Sequence, residues 1–143
     1  MNSPSEKNPL LGKEQAQAFH RATAKALYLC ARARRDIRVP VAFLTTRVRA
    51  PCAEDWTKLR RVLRYLYRNP ALPLTLRADN LEVIEWWVDA SFAVHPDMKG
   101  HTGGTMTLGK GSMIDVCQKQ RFNARSSTEA EIAGIDECIG KME

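Results

Sequence analysis

A twelve-residue apolar stretch with one acidic residue near its middle constrains the fold of this chain more than any other feature. Residues 83–94 are rich in β-branched and aromatic side chains and are bounded by polar residues. The alternation of a β-strand puts Asp89 on the same face as Trp87 and Ser91, and the intervening residues on the opposite face. Burying a carboxylate is costly unless a cation, a proton or hydrogen bonds compensate it. Asp89 is therefore either a solvent-facing residue or part of a site.

Three helices are predicted before this strand. Apolar spacing favours a first helix over residues 13–34 and a shorter second helix over residues 36–48, with Asp36 as its N-cap. The third, over residues 53–68, is the clearest, because acidic residues fall in its first turn and Pro70 follows its end. We expect its buried stripe to consist of Trp56, Leu59, Val62, Leu63 and Leu66.

The charges divide the chain into a basic front and an acidic back. Residues 1–70 carry 15 basic against 5 acidic residues, whereas residues 71–143 carry 7 basic against 11 acidic ones. The third helix concentrates five of the cations: Lys58, Arg60, Arg61, Arg64 and Arg68. Arginine forks match phosphate oxygens, so this surface either binds nucleic acid or is only a solvated face of the helix.

An antiparallel meander of three strands is predicted in the acidic back. The apolar stretch is its first strand, and a loop over residues 95–104 follows. Two short strands, residues 105–108 and 112–117, are joined by a turn at Gly109-Lys110-Gly111. The segment 74–78 has the length and composition to pair as a further strand.

The last predicted helix begins at Ser126. Ser126 and Glu129 have the spacing of a capping box, and we place Glu131 in the first turn, where a carboxylate suits the helix dipole. We expect Ile132, Ile135 and Ile139 on the buried side. From the residues alone, two interpretations of Glu131 remain: it reflects the preference for a carboxylate near a helix N-terminus, or it has a functional role.

The cysteines and the lack of targeting signals bear on the compartment. Cys30, Cys52, Cys117 and Cys138 lack the spacing of a zinc site or a disulfide framework, so we expect reduced thiols. No run is long enough to cross a membrane, and the first residues lack the apolar core of a signal peptide. We expect a soluble intracellular protein of the cytoplasm or nucleus, with no membrane partner.

The order of elements, a strand with a central Asp, a hairpin and a helix with an early Glu, resembles the opening of a ribonuclease H domain. Four motifs are similar to the ribonuclease H region of copia-type LTR retrotransposon Pol polyproteins: Trp87-Val88-Asp89-Ala90-Ser91-Phe92-Ala93, His101-Thr102-Gly103-Gly104, Lys119-Gln120 and Ser126-Ser127-Thr128-Glu129-Ala130-Glu131. Three upstream motifs resemble the reverse-transcriptase tail of that family: Leu27-Tyr28-Leu29, Arg35-Asp36-Ile37 and Arg61-Val62-Leu63-Arg64-Tyr65-Leu66. The resemblance covers residues 19–140.

This resemblance implies an α+β chain in which N-terminal helices precede an incomplete ribonuclease H-like fold, a three-stranded antiparallel meander plus one helix. It divides the chain into a polar tail (1–18), a basic helical segment at the end of the reverse-transcriptase region (19–72) and a truncated ribonuclease H-like domain (73–143). In the family, further strands extend this sheet beside the strand of Asp89. We therefore expect an open edge there, and self-association through it.

The resemblance also implies site residues and a metal. The first catalytic aspartate of the family falls on Asp89 and its catalytic glutamate on Glu131, while Glu129 remains a capping residue. In the family these acids hold Mg²⁺ for cleavage of the RNA strand of an RNA–DNA hybrid during reverse transcription, a two-metal reaction that needs several converging carboxylates. The basic third helix then belongs to the surface that holds the hybrid.

Two departures from the family pattern limit this interpretation. The next catalytic aspartate of the family lies on a strand beyond the last helix, and the polymerase aspartates lie upstream, so neither is present in this sequence. We therefore expect an inactive fragment of a retrotransposon polyprotein, and leave open whether the chain itself is an enzyme. The alternatives are a non-catalytic nucleic-acid-binding remnant and a structural leftover of a broken reading frame.

Overall fold

The computed structural model describes residues 8–95 and 97–140, and the chain divides into a helical unit and a mixed unit. The helical unit is Met1–Pro73, and the mixed unit, Leu74–Glu143, contains two antiparallel sheets and a helix. The predicted combination of helices followed by an antiparallel sheet is therefore confirmed. Among the described residues, no helix combines the length and the apolar character that crossing a bilayer requires.

Three α-helices build the helical unit: α1 (Lys13–Arg32), α2 (Arg38–Thr45) and α3 (Ala53–Arg68). They enclose a core of fully buried side chains that includes Phe19, Val41, Leu44 and Leu59. Because α1 begins at Lys13, residues 13–18 of the predicted polar tail are helical. Residues 1–7 of that tail lie outside the described residues.

The start of α2 differs from the prediction. A 3₁₀ turn over Arg35–Ile37 precedes it, and the residue at its N-cap is Ile37. The prediction of Asp36 as the N-cap is wrong, because the carboxylate of Asp36 accepts two hydrogen bonds from the guanidinium of Arg34 instead.

Helix α3 has the predicted bounds, but its buried face is rotated. Four of the five predicted stripe residues are buried or pack against the core, whereas Leu63 is 43% exposed. Asp55 is buried in the first turn, where its carboxylate accepts hydrogen bonds from the backbone N–H and the thiol of Cys52, both at 3.0 Å, and from Arg47 at 3.3 Å. Burial acts to raise the pKa of Asp55, but the bonds from Cys52 and the charge of Arg47 hold that pKa below its ordinary value.

The mixed unit is built on a three-stranded antiparallel sheet with the order β2-β3-β5. Its elements are β1 (Arg77–Ala78), β2 (Glu85–Ser91), β3 (His101–Thr107), β4 (Gly109–Lys110), β5 (Ile114–Lys119) and α4 (Ser127–Ile139). The short strands β1 and β4 pair with each other in a second sheet, and α4 packs against β2 and β3. The predicted meander is confirmed, together with the pairing of the 74–78 segment.

Two adjacent glycines explain why the predicted loop is too long. Residues 101–104 were assigned to a loop from their glycines, yet they form the first half of β3. A Cβ on Gly104 would lie 2.7 Å from the Sγ of Cys138 in α4, so this glycine lets the helix approach the sheet closely. Gly103 is the strand partner of both Asp89 and Cys117. Gly104 therefore serves helix–sheet packing, and neither glycine marks a turn.

Small residues form the buried side of α4. The prediction of a buried isoleucine side is wrong, because Ile132, Ile135 and Ile139 are 63%, 50% and 51% exposed. The buried residues are Ala130, Ala133, Gly134 and Cys138. A Cβ on Gly134 would lie 3.2 Å from the Cβ of Ala90 in β2, which leaves no room for a large side chain on this side.

Both outer strands of the larger sheet have a free edge among the described residues. β2 pairs with β3, and β5 pairs with the other side of β3. The predicted open edge at the strand of Asp89 is therefore present, and β5 adds a second one. Self-association through an edge stays a prediction.

Candidate functional site

Asp89 lies in the middle of β2, opposite Gly103 of β3. Its side chain is exposed, as are those of Trp87 and Ser91, so the alternation predicted from the sequence is confirmed. The neighbouring Ala90 faces Gly134 of α4. Because successive side chains of a strand point to opposite faces, the carboxylate of Asp89 leaves β2 on the face away from α4.

Glu131 is exposed on α4, but not in the first turn. The hydroxyl of the N-cap residue Ser126 accepts a hydrogen bond from the backbone N–H of Glu129 at 3.2 Å. The carboxylate of Glu129 in turn accepts one from the backbone N–H of Arg125 at 2.6 Å. Glu129 is thus the acid of the first turn, and the placement of Glu131 there is wrong, because this cap starts the helix at Ser127.

The two predicted acids lie on neighbouring elements but not on one face of the sheet. Helix α4, which carries Glu131, packs on the face of β2 opposite to that of Asp89. Within residues 8–95 and 97–140, no three His, Cys, Asp or Glu side chains are arranged to hold a metal ion. Two carboxylates carried on opposite faces of the sheet are fewer converging ligands than a two-metal site needs.

Gln120 joins the helix of Glu131 to β3, the strand that pairs with the strand of Asp89, a role that the sequence did not reveal. Its buried side-chain amide donates hydrogen bonds to the carbonyl of Ala130 at 2.8 Å and to the hydroxyl of Thr102 at 3.1 Å. Ala130 precedes Glu131, and Thr102 is the strand partner of Ala90. This one amide therefore fixes the start of α4 above the β2–β3 pair. Its inclusion in the Lys119-Gln120 motif was the available signal.

The predicted nucleic-acid surface is an exposed row of arginines on α3. Arg60, Arg61, Arg64 and Arg68 are all exposed. Lys58 is partly buried and engaged within its own unit: its ammonium lies 2.7 Å from the carboxylate of Glu54 and 4.6 Å from the ring centroid of Phe43. The four arginine side chains are therefore exposed to solvent, whereas the side chain of Lys58 contacts other residues of the helical unit.

Arg34, in contrast, is a buried cation with structural partners. Its guanidinium contacts both carboxylate oxygens of Asp36, at 3.0 and 2.8 Å, and donates to the carbonyl of Asn69 at 2.7 Å. It also lies 5.6 Å from the ring centroid of Tyr65. The hydrogen bonds between the pair raise the pKa of Arg34 and lower the pKa of Asp36. Because Asn69 ends α3, this arginine ties the end of α3 to the turn that precedes α2.

Comparison with known proteins finds relatives among transposon proteins. The putative transposon Ty5-1 protein of Saccharomyces cerevisiae is 34% identical over 116 residues, which cover 79% of this chain and 38% of that protein. The retrovirus-related Pol polyprotein from transposon RE2 of Arabidopsis thaliana is 31% identical over 125 residues, which cover 87% of this chain and 9% of the polyprotein. The chain thus spans well under half the length of these two relatives.

A third relative matches along most of its length. The secreted RxLR effector protein 161 of Plasmopara viticola is 30% identical over 118 residues, which cover 82% of this chain and 83% of that protein. No protein-family model and no solved structure matches the chain.

Proposed function

We propose that this chain, which is similar to a putative transposon protein and to a retrovirus-related Pol polyprotein of a transposon, derives from the reverse-transcriptase and ribonuclease H region of such a polyprotein. In this proposal the mixed unit is the opening of a ribonuclease H-like fold and the helical unit is the end of the reverse transcriptase. The chain itself binds RNA–DNA hybrid inside the cell without cutting it. The exposed arginine row of α3 carries the binding part of the proposal.

The spacing of this row supports a contact with one nucleic-acid strand. Arg60, Arg64 and Arg68 are separated by four residues each, so they project from nearly the same side of α3. With a rise of about 1.5 Å per residue, the row is about 12 Å long. Phosphates of one strand advance by about 3.4 Å along a duplex axis, so the row spans about three or four of them.

Removal of the row tests the binding proposal. We expect the change of Arg60, Arg64 and Arg68 to Ala to weaken binding of RNA–DNA hybrid and to flatten the dependence of log K on log salt by about 2 to 3, because each phosphate contact contributes about 0.9 to that slope. Fluorescence anisotropy with a labelled hybrid at several salt concentrations measures both quantities.

A matched control separates the row from the net charge of the chain. Lys13, Arg21 and Lys25 are exposed on α1, and their change to Ala removes the same charge from the same unit. We expect this variant to retain most of the salt slope. An equal loss in both variants would mean that only the total charge matters, and an unchanged slope in the α3 variant would leave the row a solvated face.

The catalytic part of the proposal assigns Asp89 and Glu131 as equivalents of two acids of the family, with Mg²⁺ as their ion. When bound, paired metal ions supply charge stabilisation for the attacking and leaving oxygens of phosphodiester hydrolysis. The opposite faces on which Asp89 and Glu131 lie, and the lack of a third ligand among the described residues, argue against a complete two-metal site. A lost metal site removes several kcal/mol of transition-state stabilisation, and each about 1.4 kcal/mol is a factor of ten in rate.

We therefore expect no cleavage of RNA–DNA hybrid above background in Mg²⁺ or Mn²⁺. Mg²⁺ binding, measured by titration calorimetry, should be weak and should weaken further in Asp89→Asn or Glu131→Gln. A gel assay with an RNA-labelled hybrid measures cleavage, with Asp89→Asn as the control for contaminating nuclease. Metal-dependent cleavage that disappears in Asp89→Asn would contradict the prediction and would require a further ligand, for instance from a second copy of the chain.

A further inference from the structure

Three side chains outside the predicted acid pair are hydrogen-bonded in a row at the larger antiparallel sheet. The Nε2 atom of His101 lies 3.2 Å from the Sγ of Cys117, and its Nδ1 atom lies 3.1 Å from the Nε2 of His95. The two imidazole rings are 5.4 Å apart between centroids. A thiol within hydrogen-bond reach of a base, whose other nitrogen is held by a third group, is the arrangement that activates nucleophilic cysteines.

Solvent can reach Cys117, whereas the other thiols are enclosed. Cys117 is partly exposed, while Cys30, Cys52 and Cys138 are 0%, 5% and 1% exposed, and none of the four is in a disulfide. Its strand partner Gly103 has no side chain to cover it, and a Cβ there would meet only the backbone oxygen of Asp89, at 3.8 Å. The space next to the thiol on this side is therefore open to a small molecule.

The charge state of the imidazoles suits a base. Burial lowers the pKa of His101, as does the charge of His95, while Glu137 acts in the opposite direction. Burial and the charge of Lys119 lower the pKa of His95, against a smaller opposing effect of Asp97. The ordinary pKa of histidine is about 6.5, and the pKa values of His95 and His101 are both lowered from it. Both rings are therefore mainly neutral at pH 7. When His101 donates its Nδ1 hydrogen to His95, the lone pair of its Nε2 faces the thiol.

We propose that Cys117 is a nucleophilic thiol with His101 as its base and His95 as the residue that orients the base, and that it reacts with small-molecule disulfides. The proton of Cys117 moves to the Nε2 of His101, and the thiolate attacks one sulfur of the disulfide. A bond forms between Cys117 and that sulfur, and the original S–S bond breaks. The proton passes from His101 to the leaving thiolate or, when that thiolate is weakly basic, to water, so Cys117 is oxidised to a mixed disulfide and the other half of the reagent is reduced to a thiol or thiolate.

The test is the rate at which an aromatic disulfide that releases a coloured thiolate modifies the folded chain, at pH 7 with a chelator present. We expect one equivalent to react fast and three to react slowly. Proteolysis and mass spectrometry should place the fast modification on Cys117. The fast equivalent should disappear in Cys117→Ser. His101→Gln should slow it by at least about tenfold, since a positioned base contributes at least that much. His20→Gln, a change of the exposed histidine of α1, is the matched control and should leave the rate unchanged.

A pH profile of the natural chain provides a measurement that does not depend on how a variant folds. We expect the fast rate to be nearly constant from about pH 7 to 8.5, whereas an unassisted thiol gains about tenfold per pH unit up to its ordinary pKa of about 8.5. The charged groups near the two imidazoles are Lys119, Asp97 and Glu137. An unassisted profile, a fast modification on another cysteine, or an unchanged rate in folded His101→Gln would each overturn the proposal.

Discussion

Replacement of Arg34 by Ala is expected to lower the free energy of unfolding of the helical unit by about 2 to 4 kcal/mol, less than the about 3 to 5 kcal/mol for breaking a fully buried ion pair, because the side chain of Asp36 is 25% exposed. The carboxylate of Asp36 loses both of its hydrogen bonds from the guanidinium, and the carbonyl of Asn69 loses its donor. The ring of Tyr65 also loses the cation beside it. The turn before α2 and the end of α3 are then no longer joined.

Denaturation followed through Trp56, the tryptophan of the helical unit, measures this change. Arg49→Ala is the matched control, because Arg49 is exposed in the same unit, and a surface substitution of this kind usually changes stability by less than about 0.5 kcal/mol. A loss in Arg34→Ala no larger than the loss in Arg49→Ala would show that the buried cation contributes no net stability.

The same ion pair gives the helical unit a defined dependence on pH. Its hydrogen bonds with Arg34 hold the pKa of Asp36 below the ordinary value of about 3.9. An acid with a depressed pKa contributes stability that is fully present above the ordinary value and is lost as the pH falls through the depressed one. The natural chain should therefore lose stability below about pH 4, and Arg34→Ala should lose less over that interval because it lacks the pair.

The second large effect concerns the two adjacent glycines of β3, which face opposite sides of the sheet. Gly104→Val should destabilise the mixed unit by about 3 kcal/mol, in the range for overpacking, because even its Cβ would lie 2.7 Å from the Sγ of Cys138. Gly103→Val should be neutral or slightly stabilising, since its Cβ would meet only the Asp89 carbonyl at 3.8 Å and valine favours strands.

Thermal denaturation of the two single variants compares the faces directly. In the double variant Gly104→Ala with Cys138→Ala, removal of the sulfur should restore part of the stability that Gly104→Ala alone loses, because the two residues are in contact. Equal losses in Gly103→Val and Gly104→Val would show instead that β3 tolerates no side chain at either position, and that the approach of α4 is not the cause.

The elements that could be predicted from the sequence are those whose first and last residues are determined by neighbouring residues in the chain. The bounds of α3 follow from acidic residues in its first turn and from Pro70 after its last, and the faces of β2 follow from alternation. The prediction that isoleucines form the buried side of α4 is wrong. The helix approaches the sheet so closely that only small residues such as Ala130 and Gly134 fit between them. That distance is set by tertiary packing and has no local signal.

In the candidate site, too, the features with a local signal in the sequence could be predicted and those set by tertiary packing could not. Alternation predicted that Asp89 shares a face with Trp87, but it did not tell which face of β2 the last helix covers, and this decides where Glu131 lies. The contact of His101 with Cys117 depends on the register of β3 and β5, which pairs Cys117 with Gly103. Sixteen residues separate the imidazole from the thiol, so their spacing in the sequence matched no short motif. The roles of Asp89, Glu131 and the arginine row stay predictions.

The two free edges of the larger sheet determine the symmetry of any assembly of this chain. Pairing of β2 with β2 of a second copy is a two-fold contact that closes at a dimer, whereas pairing of β2 with β5 of the next copy is head-to-tail and repeats without limit. β2 carries two acids and no cation, so a β2–β2 contact sets like charges near each other, whereas β5 carries one acid, Asp115, and one cation, Lys119, whose ammonium lies 2.6 Å from the carboxylate of Asp97. For self-association through these edges, we therefore expect head-to-tail pairing to meet less charge repulsion than the closed pair, and a single strand that covers either edge should be enough to stop its growth.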